Sequence, residues 1–286
     1  MSEKFYRFVD VVARESAADS GNICYYPRIF ANVALPVRDH KAYGAQYSRT
    51  NGGYTLSMIS PAHIGLPYGT YPRLILSHLA TQVTLSGDIE VPLGKSMSHF
   101  LKSMNKHPTG KNLATLNMQM KRLFSTALIW DRTTDNGWDS RAMIVANRAK
   151  SLWDESKGFD GVVLLSEEFF DDISIGAVPV DRRVLFALSS YPLAFDLYIW
   201  LTYRVYKLHK PTCIKWTQLS NQFGNRLPRL GHFRKKFSDA LDRVKLFYPD
   251  IKCGLNQKGI LIYPSRCHIP ERGVKKFVEG DIYPRI

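Results

Sequence analysis

Between Gly231 and Lys245 the apolar residues Phe233, Phe237, Ala240, Leu241 and Val244 recur at offsets of 4, 7, 8 and 11 from the first, which is one face of an α-helix. His232, Lys235, Lys236, Asp239 and Arg243 share another face, at offsets of 3, 4, 7 and 11, so donors suited to phosphate oxygens and base edges project together. Pro249 and Asp250 stop the helix. Beyond them, Ile251 to Cys253 and Gly259 to Tyr263 are β-prone runs flanking a polar loop, Gly254 to Gly259, whose tip carries Lys258. A helix followed by a basic-tipped hairpin predicts a winged helix. A surface helix with merely solvated charges has the same local pattern, so the distribution of charge has to decide.

The rest of the chain repeats that order. Residues 1–48 begin with a weak stripe, Phe5, Phe8, Val9 and Val12, and run irregularly through Pro27, Pro36 and Gly44, which predicts an arm with little core of its own. Asn51 to Gly53 is a turn before a strand from Tyr54 to Ile59. Thr70 is placed to cap a helix with Pro72 in its first turn and Ile75, Leu76, Leu79, Ala80 and Val83 inside. Ser96 caps a second helix, and a third runs from Leu113 to about Ala127 with Thr115, Asn117, Gln119, Lys121 and Arg122 on its wet faces. Strand-like runs from Ala127 to Trp130, Met143 to Ala146 and Val162 to Leu165 complete a helix–helix–helix–hairpin order, and Ser166 caps an acidic helix ending at Ile173. Ala177 to Val180 reads as a linker and Asp181 to Leu188 as a connecting helix. A long helix from Pro192 to Leu208, a strand from Thr212 to Lys215 and a Thr217-capped helix ended by Gly224 then lead into the basic helix and hairpin. The order of residues 72–165 recurs in residues 192–263. The predicted fold is therefore α+β: an N-terminal arm (1–48), two tandem winged-helix domains (49–176 and 177–265) and a basic tail (266–286).

Charge favours the DNA-reading alternative. The chain of 286 residues carries a net charge of +14, and residues 182–286 hold 20 Lys+Arg against 7 Asp+Glu. Lys95 to Lys150 adds a second basic segment, 10 against 3, while Trp153 to Asp181 is acidic, 1 against 8. Two basic segments separated by an acidic one suit a polyanion bound along two surfaces, nucleic acid before membrane. No apolar run approaches the roughly 18 to 20 residues of a spanning helix. The N-terminus is too charged for a signal peptide, and four cysteines without a C-x-x-C pair fit a reduced, cytoplasmic protein without a metal. Enzymatic signatures fail on spacing. Leu93 to Ser96 ends like a phosphate-binding loop, but Gly87 lies too far upstream; the eight histidines are scattered singly, and Asp171-Asp172 has no third ligand nearby in sequence. No nucleophile–base arrangement or cofactor motif emerges, so the expectation is a binding protein without cofactor.

Several stretches then point to a family. Tyr68 to Leu74 (YGTYPRL), Leu93 to Leu101 (LGKSMSHFL), Met120 to Phe124, Leu165 to Phe170, Val178 to Asp181, Pro192 to Tyr203, Trp216 to Leu219 and Phe233 to Phe237 occur in the order seen in plasmid replication initiators of the RepA type, and over residues 47–263 the chain resembles that iteron-binding family. The resemblance implies a plasmid-encoded bacterial protein that binds repeated origin sequences, helps open the adjacent duplex, and recruits the host initiator DnaA and the replicative helicase. It also implies monomers on direct repeats, with dimers on an operator repressing the protein's own gene. On the physical reading, His232, Arg234, Lys235, Lys236 and Asp239 enter the major groove, and Arg243, Lys252 and Lys258 sit on phosphates. Lys111, Asn117, Lys121 and Arg122 hold the next groove, and the acidic helix and the arm are candidates for protein contacts. A transcriptional regulator without initiator activity is the alternative.

Overall fold

The computed structural model describes residues 3–39, 45–134, 136–150, 153–154, 158–159, 161–224 and 230–270. In chain order the elements are α1 (Glu3–Arg14), β1 (Ile23–Tyr26), α2 (Arg28–Asn32), β2 (Gln46–Asn51), β3 (Tyr54–Ile59), α3 (Thr70–Ser86), β4 (Glu90–Pro92), α4 (Met97–Ser103), α5 (Gly110–Phe124), β5 (Ala127–Thr134), β6 (Gly137–Ile144) and β7 (Ala146–Lys150). There follow β8 (Trp153–Asp154), β9 (Gly158–Phe159), β10 (Val162–Leu165), α6 (Glu167–Gly176), β11 (Val178–Asp181), α7 (Arg182–Leu188), α8 (Pro192–Tyr206), β12 (Thr212–Lys215), α9 (Trp216–Phe223), α10 (Leu230–Lys245), β13 (Cys253–Leu255) and β14 (Gly259–Ile262). The fold is mixed, with helices packed on small antiparallel sheets.

α8 is the axis. Its sequence is apolar on nearly every side, and every residue from Ala194 to Thr202 is buried, as a helix without a polar face must be. That burial takes in one carboxylate, Asp196, whose desolvation must be offset. Arg73 of α3 supplies the partner: Nε donates to Oδ1 at 2.7 Å and an Nη to Oδ2 at 2.6 Å, and the same guanidinium donates to the carbonyls of Leu35, Pro36 and Gly69. Burial raises the Asp196 carboxyl above its ordinary range, and the Arg73 charge opposes that rise. One pair thus ties together α3, α8 and the N-terminal segment.

Two three-stranded sheets share one spatial order. In β12-β14-β13 and in β4-β10-β7 the last strand lies between the other two, and each set is accompanied by three helices, α8, α9 and α10 in one case and α3, α4 and α5 in the other. The strands of the first unit are not those expected. β5 and β6, read from sequence as part of its hairpin, join β2 and β3 in a separate four-stranded sheet, and β7 with β10 pairs beside β4 instead. Hydrophobic alternation identifies a strand but not its neighbour, which explains the reassignment.

Other local expectations change for tertiary reasons. The segment from Ala177 to Val180 is no linker: β11 pairs antiparallel with β1, Cys24 opposite Val180, and both strands are buried in the middle of the molecule. Residues 3–39 are likewise built into the common core, where Phe5, Cys24, Ile29, Phe30 and Leu35 join a single buried cluster that reaches Ile262. Thr70 does not cap α3; its hydroxyl donates to the Ser189 carbonyl, and Gly69 stands at the cap. Thr217 gives way to Lys215, whose N–H is accepted by the Gln218 carboxamide at 3.0 Å. Ser96 and Ser166 do cap their helices, accepting from the N–H of His99 and of Phe169.

Candidate nucleic-acid interface

α10 forms as its periodicity dictates. Phe233, Phe237, Ala240, Leu241 and Val244 are all buried, against α8 and α9. Phe237 meets Trp216 at 5.6 Å and Phe223 at 6.1 Å, while Trp200 of α8 closes the group on Phe223 at 5.4 Å. This aromatic packing fixes the rotation of α10 about its axis. The opposite side therefore faces outward: His232, Arg234, Lys235, Lys236 and Asp239 are all exposed. Arg234, at the flank, lies 5.4 Å over the Trp216 ring.

The hairpin after α10 is shorter and better held than the sequence implies. β13 and β14 leave only Asn256, Gln257 and Lys258 at the tip, and the Asn256 carboxamide oxygen accepts from the N–H groups of Lys258 and Gly259 at 2.8 and 3.0 Å. Trp216 secures this tip from beneath, its indole donating to the Asn256 carbonyl and its backbone N–H to that of Lys258, both at 3.0 Å. Gly259 is required by close approach, since a Cβ there would stand 1.8 Å from the Ile214 carbonyl oxygen. The result is a fixed turn presenting exposed Lys258, with exposed Lys252 at the hairpin's base.

Two of the sequence-predicted arginines are engaged within the protein. Arg243 lies 4.6 Å over the Tyr191 ring and donates to the Asp239 carbonyl, so it is half-buried against the start of α8. Arg122 of α5 donates to the Asp39 carboxylate at 3.1 Å and to the Leu66 carbonyl at 3.2 Å, and stacks 5.1 Å over Tyr68. It clamps the segment leading into α3. Lys111, Asn117 and Lys121 remain exposed on α5, whose apolar side buries Leu116, Met120 and Leu123. Gln119, expected on a wet face, is buried and accepts from the Tyr68 N–H at 2.9 Å. Arg229 and the basic tail beyond residue 270 lie outside the described residues. Among the described residues no group of His, Cys, Asp and Glu is placed to hold a metal ion, and no helix is long and apolar enough to cross a membrane.

The family model for the plasmid-encoded RepA protein matches residues 66–218, more than half of the chain. This chain belongs to the RepA family. It is a member of a family of plasmid replication initiators. Among solved structures, the RepA-family chain resembles domains 2 and 3 of RctB in two crystal structures. The selenomethionine form has a TM-score of 0.56 at 14% identity and covers 85% of this chain and 99% of that one. The 155–483 fragment has 0.54 at 15%, covering 82% and 94%. These likenesses are of fold. No curated protein matches. The match runs from the segment clamped by Arg122 through α8 into α9 and stops before α10, so the family assignment and the basic helix are separate observations.

Sequence reasoning missed the Arg73–Asp196 pair that joins α3 to α8 and the hydrogen bonds by which inward-facing Trp216 holds the hairpin tip. A signal existed: a lone arginine in an apolar helix start and a lone aspartate in an otherwise apolar helix each need a buried partner.

Proposed function

We propose that this RepA-family protein initiates plasmid replication by binding directly repeated origin DNA through two winged helices, the first formed by α3, α4, α5 and the β4-β10-β7 sheet, the second by α8, α9, α10 and the β12-β14-β13 sheet. The observation that carries the reading is α10, whose Phe face is locked by aromatic packing while His232, Arg234, Lys235, Lys236 and Asp239 are presented together on the outside. In the major groove Lys235 and Lys236 suit guanine N7 and O6, and Asp239 suits a cytosine amine. Lys252, Lys258 and, after release from Tyr191, Arg243 suit phosphates on either side. Lys111, Asn117 and Lys121 carry the second groove contact, with Arg122 holding the surface they stand on. Origin opening, recruitment of DnaA and the helicase, and repression of the protein's own gene by a dimer complete the proposed role. It is one of binding rather than catalysis.

The test is fluorescence anisotropy with fragments of the parental replicon against scrambled duplex, at about 0.15 M salt with competitor DNA. A preference of about a thousandfold for a directly repeated segment is expected. With about six phosphates neutralised, log affinity falls against log salt with a slope near −5. Equal binding to every duplex would overturn the reading, and tight binding to a single inverted repeat alone would favour a regulator without initiator activity.

A further inference from the structure

The two units meet across the N-terminal segment. α2 packs against α8 of the second unit and against α6, which follows the first, while α9 packs on β2 of the four-stranded sheet. At this meeting point one backbone oxygen holds three elements together. The Asn32 carbonyl, at the end of α2, accepts from the Gln222 carboxamide of α9 at 2.7 Å and from the Asn51 carboxamide of β2 at 3.1 Å. Asn32 is itself tied to α2, its own carboxamide donating to the Arg28 carbonyl at 3.2 Å. Asn32 and Gln222 are buried and Asn51 is half-buried.

A carbonyl oxygen has two lone pairs, and here they take donors from two different parts of the molecule. A slide of about 1 Å between the units would carry these bonds out of range and leave a buried donor unmet, so the contact resists it. The position is passed on at both ends. Next to Gln222, Phe223 packs on Phe237 of α10 at 6.1 Å and on Trp200 of α8 at 5.4 Å. On the other side β2 pairs with β3 and β3 with β5, which follows α5 directly. A buried amide contact, apart from both exposed basic faces, thus fixes how α10 stands relative to α5. The Arg73–Asp196 pair also crosses between the units, but it is ionic and its loss threatens the whole core; the amide contact is neutral and can be removed at less cost.

We propose that Gln222, held with Asn51 on the Asn32 carbonyl, is a positioning residue that sets the spacing and helical phase between the DNA segments taken by α5 and α10. It selects the length of the site, where Lys235, Lys236 and Asp239 select its bases. The inference rests on the proposed binding of one repeat through both units. Two linked surfaces gain up to about a hundredfold from engaging together, and that gain is lost when geometry forbids it. One inserted base pair moves the two segments about 3.4 Å apart and turns one against the other by about 35°, which a rigid joint cannot follow and a loosened one can.

The experiment uses the full chain and a duplex bearing one direct repeat of the parental replicon, unaltered or with one or five base pairs inserted between the segments protected by the two units in hydroxyl-radical footprints. For the native chain a one-pair insertion should lower affinity about thirtyfold and a five-pair insertion, half a helical turn, about a hundredfold. In Gln222→Ala the one-pair penalty should shrink to about threefold, with a loss of about fivefold on the unaltered repeat from the lost pre-organisation. Asn51→Ala, at the half-buried end of the contact, should shrink the penalty in the same direction and serves should Gln222→Ala fail to fold. Ser96→Ala removes a helix cap, so it lowers stability without touching the joint and should keep the native penalty. A native penalty in both Gln222→Ala and Asn51→Ala overturns the joint and leaves binding through two units standing. A native chain that holds the repeat tightly yet tolerates every insertion overturns both.

Discussion

The C-terminal unit of α8, α9 and α10 and the N-terminal unit of α3, α4 and α5 arrange three helices and a three-stranded sheet in the same order, yet they use their cations differently. On α10 the basic side chains nearest the start of the helix are exposed, while Arg243 and Lys245 at its far end are half-buried, Arg243 against Tyr191. On α5 the strongest donor, Arg122, is committed to Asp39, Leu66 and Tyr68, leaving Lys111 and Lys121 with neutral Asn117 between them. The same arrangement thus presents a dense basic surface in one unit and a sparse one in the other. Neither scaffold stands alone: Arg73 belongs to the first unit, Asp196 to the second, and their pair lies inside the common core.

The largest predicted effect breaks that shared core. Asp196→Ala leaves the Arg73 guanidinium buried without its counter-charge and should cost about 3–5 kcal/mol. Thermal melting followed by far-UV circular dichroism should show one lowered transition, because both units lose the same anchor. Two transitions would show that the units melt independently.

Next comes the contrast between the two basic surfaces, each with its proposed part in DNA binding. Lys235→Ala with Lys236→Ala should lower affinity for the specific repeat about a hundredfold and leave binding to scrambled duplex much less affected. Lys111→Ala with Lys121→Ala should weaken binding to all sequences alike and make the salt slope shallower by about two. Anisotropy titrations across salt concentrations separate the two, and identical behaviour by both pairs would erase the distinction drawn here.

Arg122→Ala is a smaller and different perturbation. It should lower stability by about 1 kcal/mol through lost hydrogen bonds and stacking while the salt slope stays unchanged. A change in slope by about one would instead return Arg122 to the phosphate contacts.

The smallest effect is on pH dependence. His268 packs on Tyr248 and is hydrogen-bonded through Nδ1 to the Tyr198 hydroxyl at 2.8 Å, and burial lowers its pKa from the ordinary 6.5. The folded form therefore binds fewer protons than the unfolded one below that value, so stability is full above about pH 6.5 and is lost as pH falls through the window down to the folded pKa. His268→Phe should flatten the acid-side decline in denaturation midpoint between about pH 7 and 5. An unchanged decline would assign it to other groups, His78 of α3 first, whose pKa burial also lowers.

Much of this architecture was legible in the chain. The buried stripe of α10 is the one its periodicity names, residue for residue, and Ser96 and Ser166 cap where a hydroxyl precedes an apolar run. Local rules failed where a local preference met a distant partner. Thr70 satisfies the Ser189 carbonyl rather than its own helix, and the β5–β6 hairpin pairs with β3 instead of joining β10 in the first unit. At the candidate site, the exposed bases of α10 follow from helical spacing, but the inward turn of Arg122 and Arg243 follows from the presence of Tyr68 and Tyr191, which spacing does not reveal.

By itself, then, the sequence determined the longer helices and most strands between residues 54 and 262, which side of α10 is apolar, where positive charge concentrates, and which family the chain resembles. All of these depend on residues within a few turns of one another or on summed composition. Only the tertiary structure decided that residues 23–35 and 178–181 lie at the centre rather than in an arm and a linker. It alone placed the Arg73–Asp196 pair and the Trp216 support beneath the hairpin. Those depend on which surfaces meet across a long separation in sequence, and a buried charge or an indole N–H records only that it needs a partner, not where the partner lies.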